Sequence, residues 1–211
     1  MKTELLPSTF PGINNEVYAD LWIRIAAKLI DLVVMLPVAV LILYINGLSK
    51  SAYFYAILPN LAFCIWYDVF LVKQYGGTPG KLLLGIKIVQ KNGDEVDWHA
   101  SFMRYIVTFC LSISGIFIML WTLSLIDDAT YVGMGFLKRI QFLNDFNPLM
   151  SKFQTFTTLA WTLAGIIAIL SNKRKRAVHD FIAGTVVVKS IHLNKIREIA
   201  NNLTVEESVK Q

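Results

Sequence analysis

Charge is scarce in this sequence. Of 211 residues only 17% are charged and 55% are hydrophobic, against roughly 25% charged in ordinary soluble domains. That excludes a disordered chain, which needs low hydrophobicity and high net charge. It also fits poorly to a soluble globule, which would lack the charge to cover its surface. Cysteine is nearly absent. Cys64 and Cys110 both lie in apolar runs, so a disulfide framework is excluded. Histidine is limited to His99, His179 and His192, whose spacing matches no metal site. No Ser/His/Asp or Cys/His arrangement with supporting context occurs, so neither an enzyme nor a cofactor is expected.

Long apolar runs are what the chain does have. A bilayer core about 30 Å thick needs roughly 20 apolar residues in helix. Tyr105 to Ile126 and Phe153 to Asn172 carry no charge at all. Ala52 to Val72 carries only Asp68, and Leu21 to Ile45 carries Arg24, Lys28 and Asp31 in its first half. This first run is too long and too far from Met1 for a cleaved signal peptide, and it has no small-residue cleavage site. Four transmembrane helices are therefore expected.

Four spans put both termini and the middle loop on one side. That side holds fourteen of the 20 Lys/Arg, and the opposite side holds four. Cytoplasmic loops carry the Lys/Arg excess, so both termini are expected in the cytoplasm. The sequon at Asn202 then faces the wrong compartment for glycosylation. The basic run Lys173 to Arg176 directly follows a span, so it reads as a topology anchor touching anionic lipid headgroups. It is not read as a nucleic-acid patch.

The middle loop opens with Gly76-Gly77-Thr78-Pro79-Gly80-Lys81, a turn cluster. A phosphate-binding P-loop is rejected here: the spacing is one residue short and Leu82 stands where Ser or Thr is required. Ile86 to Val89 is β-branched and Asn92-Gly93 is a tight-turn signal. Near the other end of the chain, Val186 to Val188 follows Gly184. Neither run can leave its backbone unpaired, so the two are predicted to pair into a small cytoplasmic ribbon. Between the last two spans, Phe136, Ile140, Leu143 and Phe146 recur at helical spacing, which predicts an amphipathic helix on the membrane surface or capping the helices. Ala160, Ala164 and Ala168 make a close-packing face on the fourth span, within the protein or across a homo-oligomer.

Charges inside spans cost about 2.5–3.5 kcal/mol each at mid-membrane. Arg24, Lys28 and Asp31 share one face of the first helix by spacing. Asp68 and Arg104 come from the second and third spans at a similar depth. Two readings stand. One is a salt-bridge cluster that fixes helix register, with Arg24 and Lys28 snorkelling. The other is an ion, proton or polar-solute site using Asp31 and Asp68.

Taken in order, the motifs resemble the RDD family of bacterial membrane proteins. They are Trp22 to Asp31, Asp68, Gly77-Thr78-Pro79-Gly80-Lys81, Leu84 to Val89, Gly93 and Arg104. In the tail they continue as Arg176, His179-Asp180 and Ala183 to Val187. The resemblance covers roughly Tyr18 to Lys189. It implies that Arg24, Asp31 and Asp68 are the Arg and two Asp for which the family is named, and that transport, including cation–proton exchange, is a candidate role. The stretch Asp127 to Lys152 is long for the pattern.

The expectation is an all-α membrane protein with four transmembrane helices, both termini cytoplasmic, and a small two-stranded cytoplasmic ribbon. Residues 18–189 form the membrane domain in the bacterial plasma membrane, and 1–17 and 190–211 are tails. Its partners are the lipid bilayer and its anionic headgroups, not nucleic acid. The leading function is transport of an ion or small polar solute through intramembrane carboxylates. The alternative is a non-transporting scaffold or assembly partner.

Overall fold

The computed structural model describes residues 6, 7, 10 and 17–198. Most of the tail before residue 17, and the stretch 199–211 with its Asn202 sequon, lie outside the described residues.

Helices α1 (Leu21–Leu48), α2 (Lys50–Ile65), α5 (Trp98–Ser124) and α8 (Pro148–Ser171) carry the apolar runs. A π-helical turn, Trp66–Phe70, joins α2 to α3 (Leu71–Tyr75). By length and composition, Leu21–Leu48, Lys50–Leu83, Trp98–Ser124 and Pro148–Ser171 are each able to cross a membrane. Their surfaces ask for lipid. On α8 alone, Leu149, Phe153, Phe156, Leu159, Leu163, Ile167 and Leu170 are exposed, an apolar face that water would not tolerate.

Local signals set the helix starts. The Asp20 carboxylate accepts the Ile23 N–H at 3.0 Å, Ser49 accepts Ala52 N–H at 3.0 Å, and Asp97 accepts Ala100 N–H at 2.7 Å. Each satisfies an orphan donor of the first turn. α5 therefore begins seven residues before the expected Tyr105, and Arg104 lies inside it. α8 likewise begins five residues before Phe153.

The chain divides into two compact units. The first draws on residues up to Val34, on Tyr67–Tyr105 and on the chain from Ala164. It contains α4 (Pro79–Leu83), α9 (Val178–Ile182) and the predicted ribbon. β1 (Ile86–Gln90) pairs antiparallel with β2 (Thr185–Lys189), with Ile88 opposite Val187. Tyr18 bridges to Val188 on the free edge of β2, where Lys189 N–H donates to the Val17 carbonyl and Ala19 N–H to the Val187 carbonyl, both at 2.9 Å. Strand alternation sends Val89, Val186 and Val188 into one apolar cluster with Tyr18 and Ile196. Ile86, Ile88 and Val187 enter another, with Ala19, Ala27, Val72 and Ala100. The ribbon is buried on both faces and forms the core of this unit.

The second unit comprises Met35–Trp66 and Ile106–Leu163. Here the expected amphipathic helix appears as α7 (Phe136–Phe146), preceded by a short α6 (Asp128–Gly133). Buried Tyr131 packs with Leu123 and Ile126 and donates to the Asn46 carbonyl at 2.7 Å. Arg139 stacks over its ring at 4.6 Å. Deeper in the unit, the Gln154 side chain links α8 to α5 through Ser114 Oγ and the Leu111 carbonyl, both at 2.9 Å.

Candidate functional site

Within the first unit, the charges in and beside the candidate spans sort into two carboxylate sites and one carboxylate left over. The first centres on Asp180, at the third position of α9 and fully buried. Its Oδ2 accepts Arg24 Nη1 at 2.9 Å and Ala177 N–H at 2.8 Å, and its Oδ1 accepts from Arg104 Nη1. Arg104 also bonds Thr185 Oγ1. Arg24 is fixed further by the Ala19 carbonyl at 3.1 Å and the Lys175 carbonyl at 2.6 Å. Lys175 takes the left-handed conformation, φ 52°, a costly geometry for a residue with a Cβ. Arg176 closes the site through the Thr185 carbonyl at 3.0 Å and the Asp180 carbonyl at 2.8 Å, with its guanidinium 4.2 Å over the Phe181 ring.

Electrostatics follow from this packing. Burial alone would raise the Asp180 carboxyl, but the Arg104 and Arg24 cations outweigh it and hold it well below the usual carboxylate range. Desolvation pulls His179 below its ordinary value, against the opposing draw of Asp180. The imidazole is therefore neutral at pH 7, and its 3.7 Å approach to Asp180 is not an ion pair.

The second site centres on Asp31, buried on α1. Among the described residues it accepts three donors and no cation: Tyr67 Oη at 2.7 Å, Thr78 Oγ1 at 2.6 Å and Gly80 N–H at 2.7 Å. The turn cluster Thr78-Pro79-Gly80 thus wraps the first turn of α4 around a carboxylate of its own chain, with Pro79 opening the helix. Gly80 is demanded by contact. A Cβ there would lie 2.1 Å from the Ala27 carbonyl and 2.9 Å from Asp31 Oδ1.

Asp68 is different. It lies on the π-helical turn, half-buried, with Lys81, Lys28, Asp31 and Arg104 as its charged neighbours. Among the described residues no ion pair or hydrogen bond holds its carboxylate. Beside it, Ser101 Oγ donates to the Val69 carbonyl at 2.6 Å, satisfying a backbone group within the wider turn.

Spacing along α1 places Arg24, Lys28 and Asp31 on one face, and the structure gives them different direct partners. Arg24 reaches Asp180 and not Asp31, Lys28 is exposed, and Asp31 has only hydroxyl and amide donors. Among the described residues no ion pair joins Arg24 to Asp31 or Asp68. The carboxylate that answers Arg24 and Arg104 comes from a short helix near the other end of the chain. The sequence does not single out Tyr67, because a tyrosine beside an aspartate in an apolar run carries no spacing signal. Among the described residues, no three His, Cys, Asp or Glu side chains converge as a metal site.

The chain is similar to the uncharacterized protein YckC of Bacillus subtilis (strain 168), 25% identical over 173 residues that cover 80% of this chain and 83% of that protein. No solved structure matches. Residues 18–184 match the RDD family, a stretch that runs from Tyr18 on the β2 edge through Arg24, Asp31, Asp68 and Arg104 to Asp180, and the chain belongs to that family.

Proposed function

We propose that this membrane protein moves a proton or small cation across the bilayer, with Asp68 as the exchangeable carboxylate. The observation that carries this reading is the contrast among three aspartates. Asp31 and Asp180 are saturated by donors, whereas Asp68 has no partner in hydrogen-bond or ion-pair reach among the described residues. An intramembrane ionisable group is a functional-site candidate by default, and π-helical turns recur at functional sites. In this reading Asp31 and Asp180 are ties that hold the polar unit together, and Asp68 alone exchanges. The protein lies in the plasma membrane with both termini cytoplasmic, following the Lys/Arg bias. A homo-oligomer, packed through Ala160, Ala164 and Ala168, supplies the walls that four spans lack.

A second reading is a non-transporting scaffold. It is favoured by the saturation of Asp180, which cross-links α1, α5 and α9 as structural glue would. Flux in liposomes with and without a pH gradient separates the two. Asp68→Asn keeps size and some hydrogen bonding but cannot release a proton. The expected result is a variant that inserts and melts like the parent and loses flux. Stable Asp68→Asn protein with unchanged flux rules out Asp68 as the carrier, and a parent with no flux for any of several cations favours the scaffold.

A further inference from the structure

Away from the aspartates, the first unit carries a cleft of about 230 Å³. Its walls are the end of α3 with Gly76 and Leu82, all within the second candidate span, strand β1, the loop before α5 and the helical stretch 193–198. Lys73, Lys87 and Arg197 line it, with Gln74 and Tyr75 on the same wall as Lys73. All three cations are half-buried. Arg197 meets exposed Glu95 at 3.2 Å, while Lys73 and Lys87 have no carboxylate partner among the described residues. The Lys87 stem runs over Gly76. A Cβ built there would stand 3.6 Å from Lys87 Cδ, and the glycine itself sits at φ 80°. Gly76 also accepts the Ile88 N–H at 2.7 Å, so the backbone beneath Lys87 is fixed.

We infer that this cleft binds a phosphomonoester. Three cations and one carboxylate leave two positive charges facing the opening. A phosphomonoester carries about −1.5 to −2 at pH 7 and offers three acceptor oxygens, which matches that surplus, whereas a phosphodiester carries only one negative charge. Lysines are point-charge phosphate ligands, and Arg197 adds a forked donor. Gln74 and Tyr75 supply neutral donors at the rim. Glu95 competes with the ligand for Arg197 and is displaced as phosphate enters. Because one wall belongs to a candidate span, the phosphate is carried either by a lipid headgroup, as in phosphatidic acid, or by a free metabolite.

The test uses the full chain at moderate salt. In one arm, inorganic phosphate and glycerol phosphate are titrated into protein in detergent and binding is followed by calorimetry. In the other, protein in nanodiscs is compared with phosphatidic acid, phosphatidylglycerol or phosphatidylcholine present. Saturable binding in either arm supports the site, and the arm in which it occurs identifies the source. The double variant K73Q/K87Q should bind at least ten-fold more weakly at an unchanged melting temperature, and E95Q should bind more tightly. If the double variant does not fold, E95Q decides. Tighter binding supports the site, and unchanged or weaker binding overturns it. No saturable binding in either arm, equal binding of phosphatidylglycerol and phosphatidic acid, or unchanged affinity in a folded double variant would each overturn the proposal.

Discussion

Gly80 and Asp180 show how tightly single positions are specified here. A methyl group at Gly80 has nowhere to go, because the nearest atom is the Ala27 backbone carbonyl, 2.1 Å away. Gly80→Ala must push α4 off α1 and stretch the amide bond to Asp31. Forced overpacking of this kind costs about 1–3 kcal/mol, read as a lower melting temperature in detergent, and an unchanged temperature would refute the close approach. Asp180→Asn removes the counter-charge of Arg24 and Arg104, whose side chains are only 10% and 7% exposed. Breaking a buried pair in this way costs about 3–5 kcal/mol. The same group sets an acid limit. Its folded-state value lies below the ordinary carboxylate value of about 3.9. Its contribution is therefore complete above that value and is lost as pH falls below it. From about pH 4 downward the parent should lose stability more steeply than Asp180→Asn. Parallel pH profiles for the two proteins would show that Asp180 is not held ionised.

Among the elements, the ribbon holds the first unit together. Val186, Val187 and Val188 are fully buried, and burying such side chains contributes about 1.5–3 kcal/mol each. Truncation before Gly184 deletes β2, strips Arg104 of Thr185 and leaves β1 with unpaired backbone. The truncated chain should melt well below the parent, or lose its cooperative transition, in detergent. An equal melting temperature would mean that the ribbon contributes nothing to stability. The pairing was legible beforehand because two β-branched runs flanked by glycine turns leave backbone groups that need partners. Its burial on both faces was not, since that depends on Tyr18, Ala19 and Ile196 arriving from distant parts of the chain. α7 was legible in the same way, from Phe136, Ile140, Leu143 and Phe146. The clamp of Arg139 and Tyr131 at Asn46 was not, because its groups are 85 residues apart at the longest link.

For the molecule as a whole, orientation is the most accessible test. Fourteen Lys/Arg flank one side of the spans and four the other, which predicts a cytoplasmic loop after β1. A membrane-impermeant thiol reagent added to intact cells should label a cysteine placed at Asn144 and miss one placed at Asn92. Labelling at Asn92 in sealed cells would sink the four-span arrangement with cytoplasmic termini.

Composition and hydropathy alone determined that this chain has four helices able to cross a membrane, because a hydrocarbon layer about 30 Å thick needs long apolar helices and the sequence contains four such runs, two without any charge and two with few. The ordered motifs by themselves point to the RDD family. Charge pairing was another matter. Helical spacing places Arg24 and Asp31 on one face and invites a bond between them, yet spacing is blind to side chains arriving from elsewhere. Asp180 lies 156 residues from Arg24 and Thr78 lies 47 from Asp31. Only the folded chain brings these groups into contact. Buried charges then take the partners that best replace water, and that choice leaves the Asp68 carboxylate without an ion pair or hydrogen bond among the described residues.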